Sequence, residues 1–344
     1  MTTPVPAVSV LVAVRNGERF LDFALASLAA QTFSDFEIVL VDNGSSDNTA
    51  QIVAEWSARE PRLSKFHLDR PGLAGSLILA ASMARAPLLA RLDADDIALP
   101  ERLALQYSVM MERPSVGLLG SSVELIDEDG RHIGERRMAV ADRELRDFLK
   151  SRNPFCHSTV MMRRDAYERA GGYRRGLKIC EDFDLWCRMS DVTGLANIER
   201  PLVRYRIHET AMSIRQPVRM MISEQCVLAA GRARHQGIPE PFRNGVPRLR
   251  NALGILGVDR STFLYDVLKA TAVAGRLALR DNDRAAAIRL RRRAVGVLHA
   301  MSARAVVRHG LWRMLAMYFR PYSRDRLRNL FDRMFKRNPQ PGAK

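Results

Sequence analysis

The chain has 344 residues, is 47% hydrophobic and carries a net charge of +16. That composition allows one large or two medium domains with a real core, and excludes a disordered chain. Its four cysteines, Cys156, Cys180, Cys187 and Cys226, show no C-x-x-C spacing, which argues against a disulfide framework or zinc site and fits a reducing cytosol.

Residues 8–14 are a β-branched apolar run and read as a strand buried on both faces. A turn at Arg15–Glu18 leads to a helix over 19–30, with Leu21, Ala24, Leu25 and Leu28 at helical spacing. Residues 37–41 form a second strand, and 42–47 a polar turn. Asp47 or Ser46 is placed to cap the next helix, which Ile52, Val53 and Trp56 anchor. A weaker strand at 63–67, a helix at 73–85 and a strand at 87–92 follow. Pro100 suits the first position of a helix running to about Met111. Beyond it, 116–126 reads as a strand ending in a turn, 142–150 as a short polar helix, 157–162 as a strand, 181–192 as a helix and 201–208 as extended. After Met212 the chain reads as helical, with breaks near 237–239, 245–247 and 281–283 and a frayed end at 338–344. No repeat is visible. No basic stretch leads into an apolar segment at the start, and no run of about 18 apolar residues occurs, so neither a signal peptide nor a spanning helix is expected.

Strand and helix alternate through roughly the first 110 residues, which argues an α/β fold with a mainly parallel sheet flanked by helices. In such sheets ligands bind outside the carboxyl ends of the strands. Asp42 follows one strand, and Asp93, Asp95 and Asp96 follow another. If those strands are parallel, both acidic groups lie on one edge. Three carboxylates in four residues repel one another unless solvent or a cation neutralises them, and their hard oxygens suit Mg²⁺ or Mn²⁺. A divalent cation at a strand end is a frequent companion of phosphate. A solvated acidic loop ahead of a helix is the bland alternative.

The charge divides the chain. Residues 215–344 hold about 27 Lys and Arg against about 8 Asp and Glu, whereas 1–214 hold about 27 against 30. Two regions are therefore expected: a catalytic domain at 1–214 and a basic α-helical region at 215–344. Arg289–Arg293 and the stretch Arg313–Arg337, with Trp312, Leu315, Tyr318 and Phe319 nearby, suit an anionic membrane surface. A packed extension with a solvated basic face is the competing reading. No RNA-binding motif is visible, and no nucleic-acid partner is expected.

Five motifs stand in order: Val8–Glu18, Val41–Thr49, Leu92-Asp93-Ala94-Asp95-Asp96, Glu181-Asp182-Phe183-Asp184-Leu185-Trp186 and Tyr205-Arg206-Ile207-His208. In this order the chain resembles glycosyltransferase family 2, inverting enzymes of GT-A fold, over roughly residues 7–212. The resemblance implies that Asp42 reads the nucleotide base and that the turn from Ala13 through Arg15 to Glu18 lines the same pocket. A role for Asp42 in the turn alone is the alternative. Asp93 is implied near the ribose or metal, Asp95 on the metal, and His208 near the metal or diphosphate. Arg91 is placed to contact phosphate or to pair with a neighbouring carboxylate. Asp182 is implied as the base that takes the acceptor hydroxyl proton. His157, within Asn153-Pro154-Phe155-Cys156-His157, together with Glu181 and Arg206, is a candidate acceptor or phosphate contact.

The chain departs from the family at Ala13-Val14-Arg15-Asn16, where many relatives have Pro-Thr-Tyr-Asn, and at Ser76, where they have asparagine. The implied function is transfer of a sugar from a nucleotide-diphospho sugar, a UDP-sugar above all, to a hydroxyl of a glycan or lipid-linked acceptor, with Mg²⁺ or Mn²⁺ as cofactor. Bacterial surface polysaccharide or glycolipid synthesis is the implied setting. A cytoplasmic location, peripheral on the inner face of the cell membrane, goes with it. Two alternatives stay open. One is a sugar-nucleotide nucleotidyltransferase, although Val14-Arg15-Asn16-Gly17 is not the glycine-rich basic loop of that class. The other is a basic membrane- or nucleic-acid-binding protein with an inactive catalytic domain.

Overall fold

A computed structural model describes residues 4–69, 72–208, 217–243, 246–247, 249–258 and 263. The chain divides into two compact units, Met1–Arg215 with Ser223–Leu249, and Gln216–Ile222 with Arg250–Lys344. The arginine clusters at 289–293 and 313–337, the break at 281–283 and the end at 338–344 lie outside the described residues. Among the described residues no helix is long and apolar enough to cross a membrane, and all four cysteines are buried.

The first unit is built on one sheet. Strands β1 (Val8–Val14), β2 (Phe36–Asp42), β3 (Leu63–His67) and β4 (Leu88–Asp93) alternate with helices α1 (Leu21–Ala29), α2 (Thr49–Arg59) and α3 (Leu73–Met83). They lie in the order β3-β2-β1-β4, all parallel. Every residue of β1 and β2 is buried, as expected for central strands covered by helices on both faces. The polar residues within them are paired rather than exposed. Ser9 donates to Glu37 at 2.7 Å, and the Arg85 guanidinium meets the same carboxylate at 2.8 Å. Val8, Val10, Val12, Leu25, Leu28, Ile38 and Leu40 form the centre of the core.

Past β4 the sheet mixes directions. It continues through β5 (Ile97–Ala98), α4 (Arg102–Glu112), β6 (Val116–Ile126), β7 (His132–Arg136), α5 (Asp142–Leu149), β8 (Met161–Arg163), α6 (Arg164–Arg169), α7 (Glu181–Met189) and β9 (Gly194–Arg206). β8 is antiparallel to both β4 and β6, β9 is parallel to β6, and β5 is antiparallel to β9. The result is a mixed α/β fold whose parallel half carries the first acidic motifs.

Four local expectations change. His157–Thr159 is a 3-10 turn rather than the start of a strand. The Thr159 hydroxyl and N–H both donate to the Cys156 carbonyl, at 2.8 and 2.9 Å, so local side-chain bonding outcompetes the ladder. Helix α4 begins at Arg102, leaving Pro100 in the preceding turn, where its carbonyl accepts from the Thr32 N–H at 2.9 Å. β9 starts at Gly194, seven residues before Pro201. After the helix Pro217–Gln236, a two-stranded antiparallel pair, Phe242–Arg243 with Val246–Pro247, replaces the expected simple break.

Candidate active site

The register of the parallel strands assembles the first half of the site. Ala13 and Val14 of β1 stand opposite Asp93 of β4 and Asp42 of β2, respectively. Asp42 and Asp93 therefore share the carboxyl edge of the sheet. Asp42 is buried, and its Oδ1 accepts both the N–H and the hydroxyl of Ser45, at 3.1 and 2.6 Å. Gly44, at φ +65°, turns the chain back to make that possible. The second oxygen of Asp42 faces the His67 ring at 3.7 Å.

The turn after β1 is locked to the turn after β2. Asn16, itself at φ +53°, accepts from the Ser46 N–H, and the Glu18 carboxylate accepts from the Asn48 N–H at 3.1 Å and its side-chain amide at 3.0 Å. Asp47 bonds the Thr49 N–H and the Glu18 N–H, both at 3.1 Å. The capping expected of Asp47 is thus present, although the residue directly before α2 is Asn48. Ala13 is buried beneath this turn, and Arg15 is exposed beside it.

Asp93 is held from two sides. The fully buried Arg91 guanidinium meets one oxygen, and the Ser158 hydroxyl donates to the other at 2.8 Å. Arg91 also donates to the Leu11 carbonyl at 3.3 Å. Of the two readings for Arg91, pairing with a neighbouring carboxylate is the one realised in the fold. Burial raises the Asp93 carboxyl, but Arg91, His157 and Ser158 together bring it below the usual carboxylate range. Asp96 goes the other way. It is fully buried, one oxygen accepts the Arg206 N–H at 2.8 Å and the other has no partner. Burial first, then the charges of Asp95 and Asp93, raise it well above the usual range.

The short β5 explains how His208 arrives. By pairing Ile97 and Ala98 with Arg204 and Val203, it lays the end of β9 against the acidic turn. His208 Nε2 then sits 2.8 Å from Asp95 Oδ2, its ring packed on Phe20 at 5.1 Å. An oxygen and an imidazole nitrogen converging in this way fit Mn²⁺ or Mg²⁺ as two of its ligands. Among the described residues no three such side chains gather by themselves, so further ligands would come from a bound substrate or water. Arg206 is buried and tied to the carbonyls of Asp95, Asp127 and Glu128 at 2.9–3.1 Å, with its guanidinium over Phe20. Its role in the fold is to hold the acidic turn and the β6–β7 turn together.

The second half of the site comes from α7. Cys180, a non-glycine residue at φ +63°, turns the chain into the helix, a strained conformation of the sort that gathers at functional sites. All of α7 is buried except Asp182, the one residue of the helix with an opening to solvent. The Asn153 amide donates to the Asp182 carboxylate at 2.7 Å. Glu181 is buried; desolvation, then the Asp182 charge, push it to about 8. Asp184 belongs to the framework, bonded twice by Arg188 at 2.7 and 3.0 Å. His157 joins the two halves. Its Nε2 lies 2.9 Å from the Tyr173 hydroxyl and its ring packs edge-on against Trp186. Desolvation and then Arg91 lower its pKa, while Asp182 and Asp93 pull it up.

Asp42, Asp93, Asp95, His208, His157, Glu181 and Asp182 are thus gathered around the carboxyl edge of the parallel strands. Ser158, Tyr173 and Phe20, which hold Asp93, His157 and His208, went unnoticed in the sequence, because a lone serine, tyrosine or phenylalanine carries no spacing signal. Asn153 stood inside a segment already singled out, though without a role.

The model of the family "Glycosyl transferase family 2" matches residues 9–171. The O-antigen biosynthesis glycosyltransferase WbnJ of Escherichia coli is 30% identical over 205 residues, covering 58% of this chain and 80% of that protein. The amylovoran biosynthesis glycosyltransferase AmsE of Erwinia amylovora is 34% identical, covering 58% of this chain and 75% of that protein. In fold, the chain is similar to S. aureus TarS 1–349 solved in complex with UDP-GlcNAc, at TM-score 0.57, 17% identity, and coverage of 84% and 90% of the two chains. Sequence likeness across most of the length of these relatives, on a fold shared with TarS, makes this chain a member of glycosyltransferase family 2, and a glycosyltransferase.

Proposed function

We propose that this glycosyltransferase transfers a sugar from a nucleotide-diphospho sugar, with a UDP-sugar as donor, to an acceptor hydroxyl with inversion. The observation that carries this reading is the position of His157. The residues on either side of it bond both carboxylates, Asn153 to Asp182 at 2.7 Å and Ser158 to Asp93 at 2.8 Å, so one short segment holds the donor-side and α7 carboxylates together. Asp42, at the end of β2, accepts a hydrogen bond from the base on the oxygen that Ser45 leaves open, a bond that a mismatched edge would forgo. Asp95 and His208 would hold a divalent cation, which would supply positive charge to the diphosphate of the donor. Asp182, open on one side and oriented by Asn153, takes the proton of the attacking hydroxyl. A single displacement places this base on the face of the sugar opposite the leaving group.

The names of WbnJ and AmsE, in O-antigen and amylovoran biosynthesis, support a surface polysaccharide or glycolipid as the product. The UDP-GlcNAc bound by TarS supports a UDP-sugar. Thermal shift with UDP-glucose, UDP-galactose, UDP-GlcNAc and UDP-GalNAc tests the donor, because a ligand that binds the folded state raises its Tm. At least one should stabilise the protein more with Mn²⁺ than without, and Asp95→Ala should abolish the difference. An Mn²⁺ response that survives Asp95→Ala rejects Asp95 as a ligand. The charge of 215–344 supports a location on the inner face of the cell membrane. The full chain should sediment with anionic but not with zwitterionic liposomes, and equal sedimentation rejects that location.

A further inference from the structure

The segment from Asn153 to Ser158 touches a carboxylate of the cleft at each end. At one end the Asn153 amide donates to Asp182 at 2.7 Å. At the other the Ser158 hydroxyl accepts the Asp93 N–H at 3.0 Å and donates to the Asp93 carboxylate at 2.8 Å. Asn153 and Ser158 are five residues apart, and five residues of chain span at most about 17 Å. The segment is held firmly from behind. The Pro154 carbonyl accepts from the buried Asn197 amide at 3.3 Å. Thr159, next in the chain, accepts from the Gln106 amide at 2.7 Å and from the Ser121 N–H at 3.1 Å.

A single displacement puts the attacking hydroxyl and the leaving diphosphate on opposite faces of the sugar. With Asp182 as the base and the diphosphate on the side of Asp93 and Asp95, the transferred sugar lies between the two carboxylates, alongside this segment. Of residues 153–158, Pro154, Phe155, Cys156 and Ser158 are buried, and only Asn153 and His157 open to solvent. Both ends of the Asn153 amide are engaged, one by Asp182 and the other by the Phe155 N–H at 3.1 Å. His157 is therefore the one side chain of the segment with a polar atom left to offer.

The ring of His157 is fixed on two sides. Nε2 lies 2.9 Å from the Tyr173 hydroxyl, and one edge meets Trp186 with centroids 6.0 Å apart. Trp186 follows Asp182 by four residues and shares its face of α7. Nδ1, by contrast, has no partner among the described residues and is not sealed from solvent. Desolvation and then Arg91 hold the ring below its usual range, so at pH 7 it is neutral, with one N–H and one lone pair. A neutral ring offers no charge to a phosphate. A sugar hydroxyl both donates and accepts, so it can pair with Nδ1 in either tautomer.

We propose that Nδ1 of His157 binds a hydroxyl of the transferred hexose and so helps to decide which UDP-sugar the enzyme uses. This rests on the reading of Asp182 as the base and of the strand rim as the diphosphate side.

The test measures Kd by calorimetry on the full chain with Mn²⁺, for UDP and for whichever of the four UDP-sugars above the wild type binds most tightly. His157→Ala should raise the Kd for the UDP-sugar about tenfold, as expected for one lost hydrogen bond in a closed site, and leave that for UDP within about twofold. Two further variants separate contact from packing. An asparagine amide overlies Nδ1, whereas a glutamine amide overlies Nε2. His157→Asn, although it gives up Tyr173, should bind the UDP-sugar within about threefold of the wild type. His157→Gln, which keeps Tyr173, should be as weak as His157→Ala. An unchanged Kd for the UDP-sugar in His157→Ala overturns the proposal, as does an equal rise for UDP and the UDP-sugar. Tighter binding by His157→Gln than by His157→Asn also overturns it, since that order marks a packing role, and this pair decides the matter even where His157→Ala does not fold. Asp182→Asn is run beside them: undiminished transfer there rejects the base, while the Kd values of the His157 variants remain a separate result.

Discussion

The two halves of the cleft handle charge in opposite ways. On the strand side three carboxylates have a basic partner supplied by the protein, His67 for Asp42, Arg91 for Asp93 and His208 for Asp95, while the buried Asp96 beside them has none among the described residues. On the helix side, among the described residues, Asp182 is bonded only by a neutral amide, and Glu181 beside it is pushed to about 8, by desolvation first and the Asp182 charge second. If the rim holds a cation and a diphosphate, as proposed, it benefits from carboxylates fixed in place before the ligand arrives, because their ordering is then not a cost of binding. A group that must take up a proton is better left without a cation, which would hold it ionised and weaken it as a base.

The contrast can be broken most severely at Asp182. Asp182→Asn should lower the rate of transfer by about 10²–10⁴-fold, the span of general-base contributions, with UDP affinity retained. Equal turnover by variant and wild type would put the base elsewhere. On the strand side the expected loss is of stability. Arg91→Met leaves Asp93 with Ser158 alone, and breaking a buried pair costs about 3–5 kcal/mol, near the lower figure here because Asp93 is partly open to water. Denaturant unfolding measures this, and Arg91→Met with Asp93→Asn should recover part of it. If the double variant is no more stable than the single, the pair is not the source of the loss.

The smallest effect sharpens the helix side. Glu181 in the folded protein titrates near 8, against about 4.5 when free, so between those values the folded state holds a proton that the unfolded state has released. Stability from this group is complete below about 4.5 and declines as pH rises towards 8. Glu181→Gln should flatten the fall in Tm between pH 5 and 8. An unaltered slope would mean that Glu181 keeps an ordinary pKa.

Much of this arrangement was legible beforehand. The largely apolar run of β1 and the alternation with helices argued for parallel neighbours, and parallel neighbours put Asp42 and Asp93 on one edge. The same reasoning faltered at His157–Thr159, where β-propensity suggests a strand but the Thr159 hydroxyl closes a turn. It named Arg206 only as a candidate acceptor or phosphate contact and did not foresee its bonds to the carbonyls of Asp95, Asp127 and Glu128.

The order of residues alone determined which carboxylates stand at strand and helix ends, because periodicity and turn chemistry act over a few residues at a time. What only the tertiary structure decided is which of them are paired. Ser158 reaches Asp93 across 65 residues of chain, and His208 reaches Asp95 across 113. Ionisation depends on such distant partners and on the depth of burial, and both exist only once the sheet has closed.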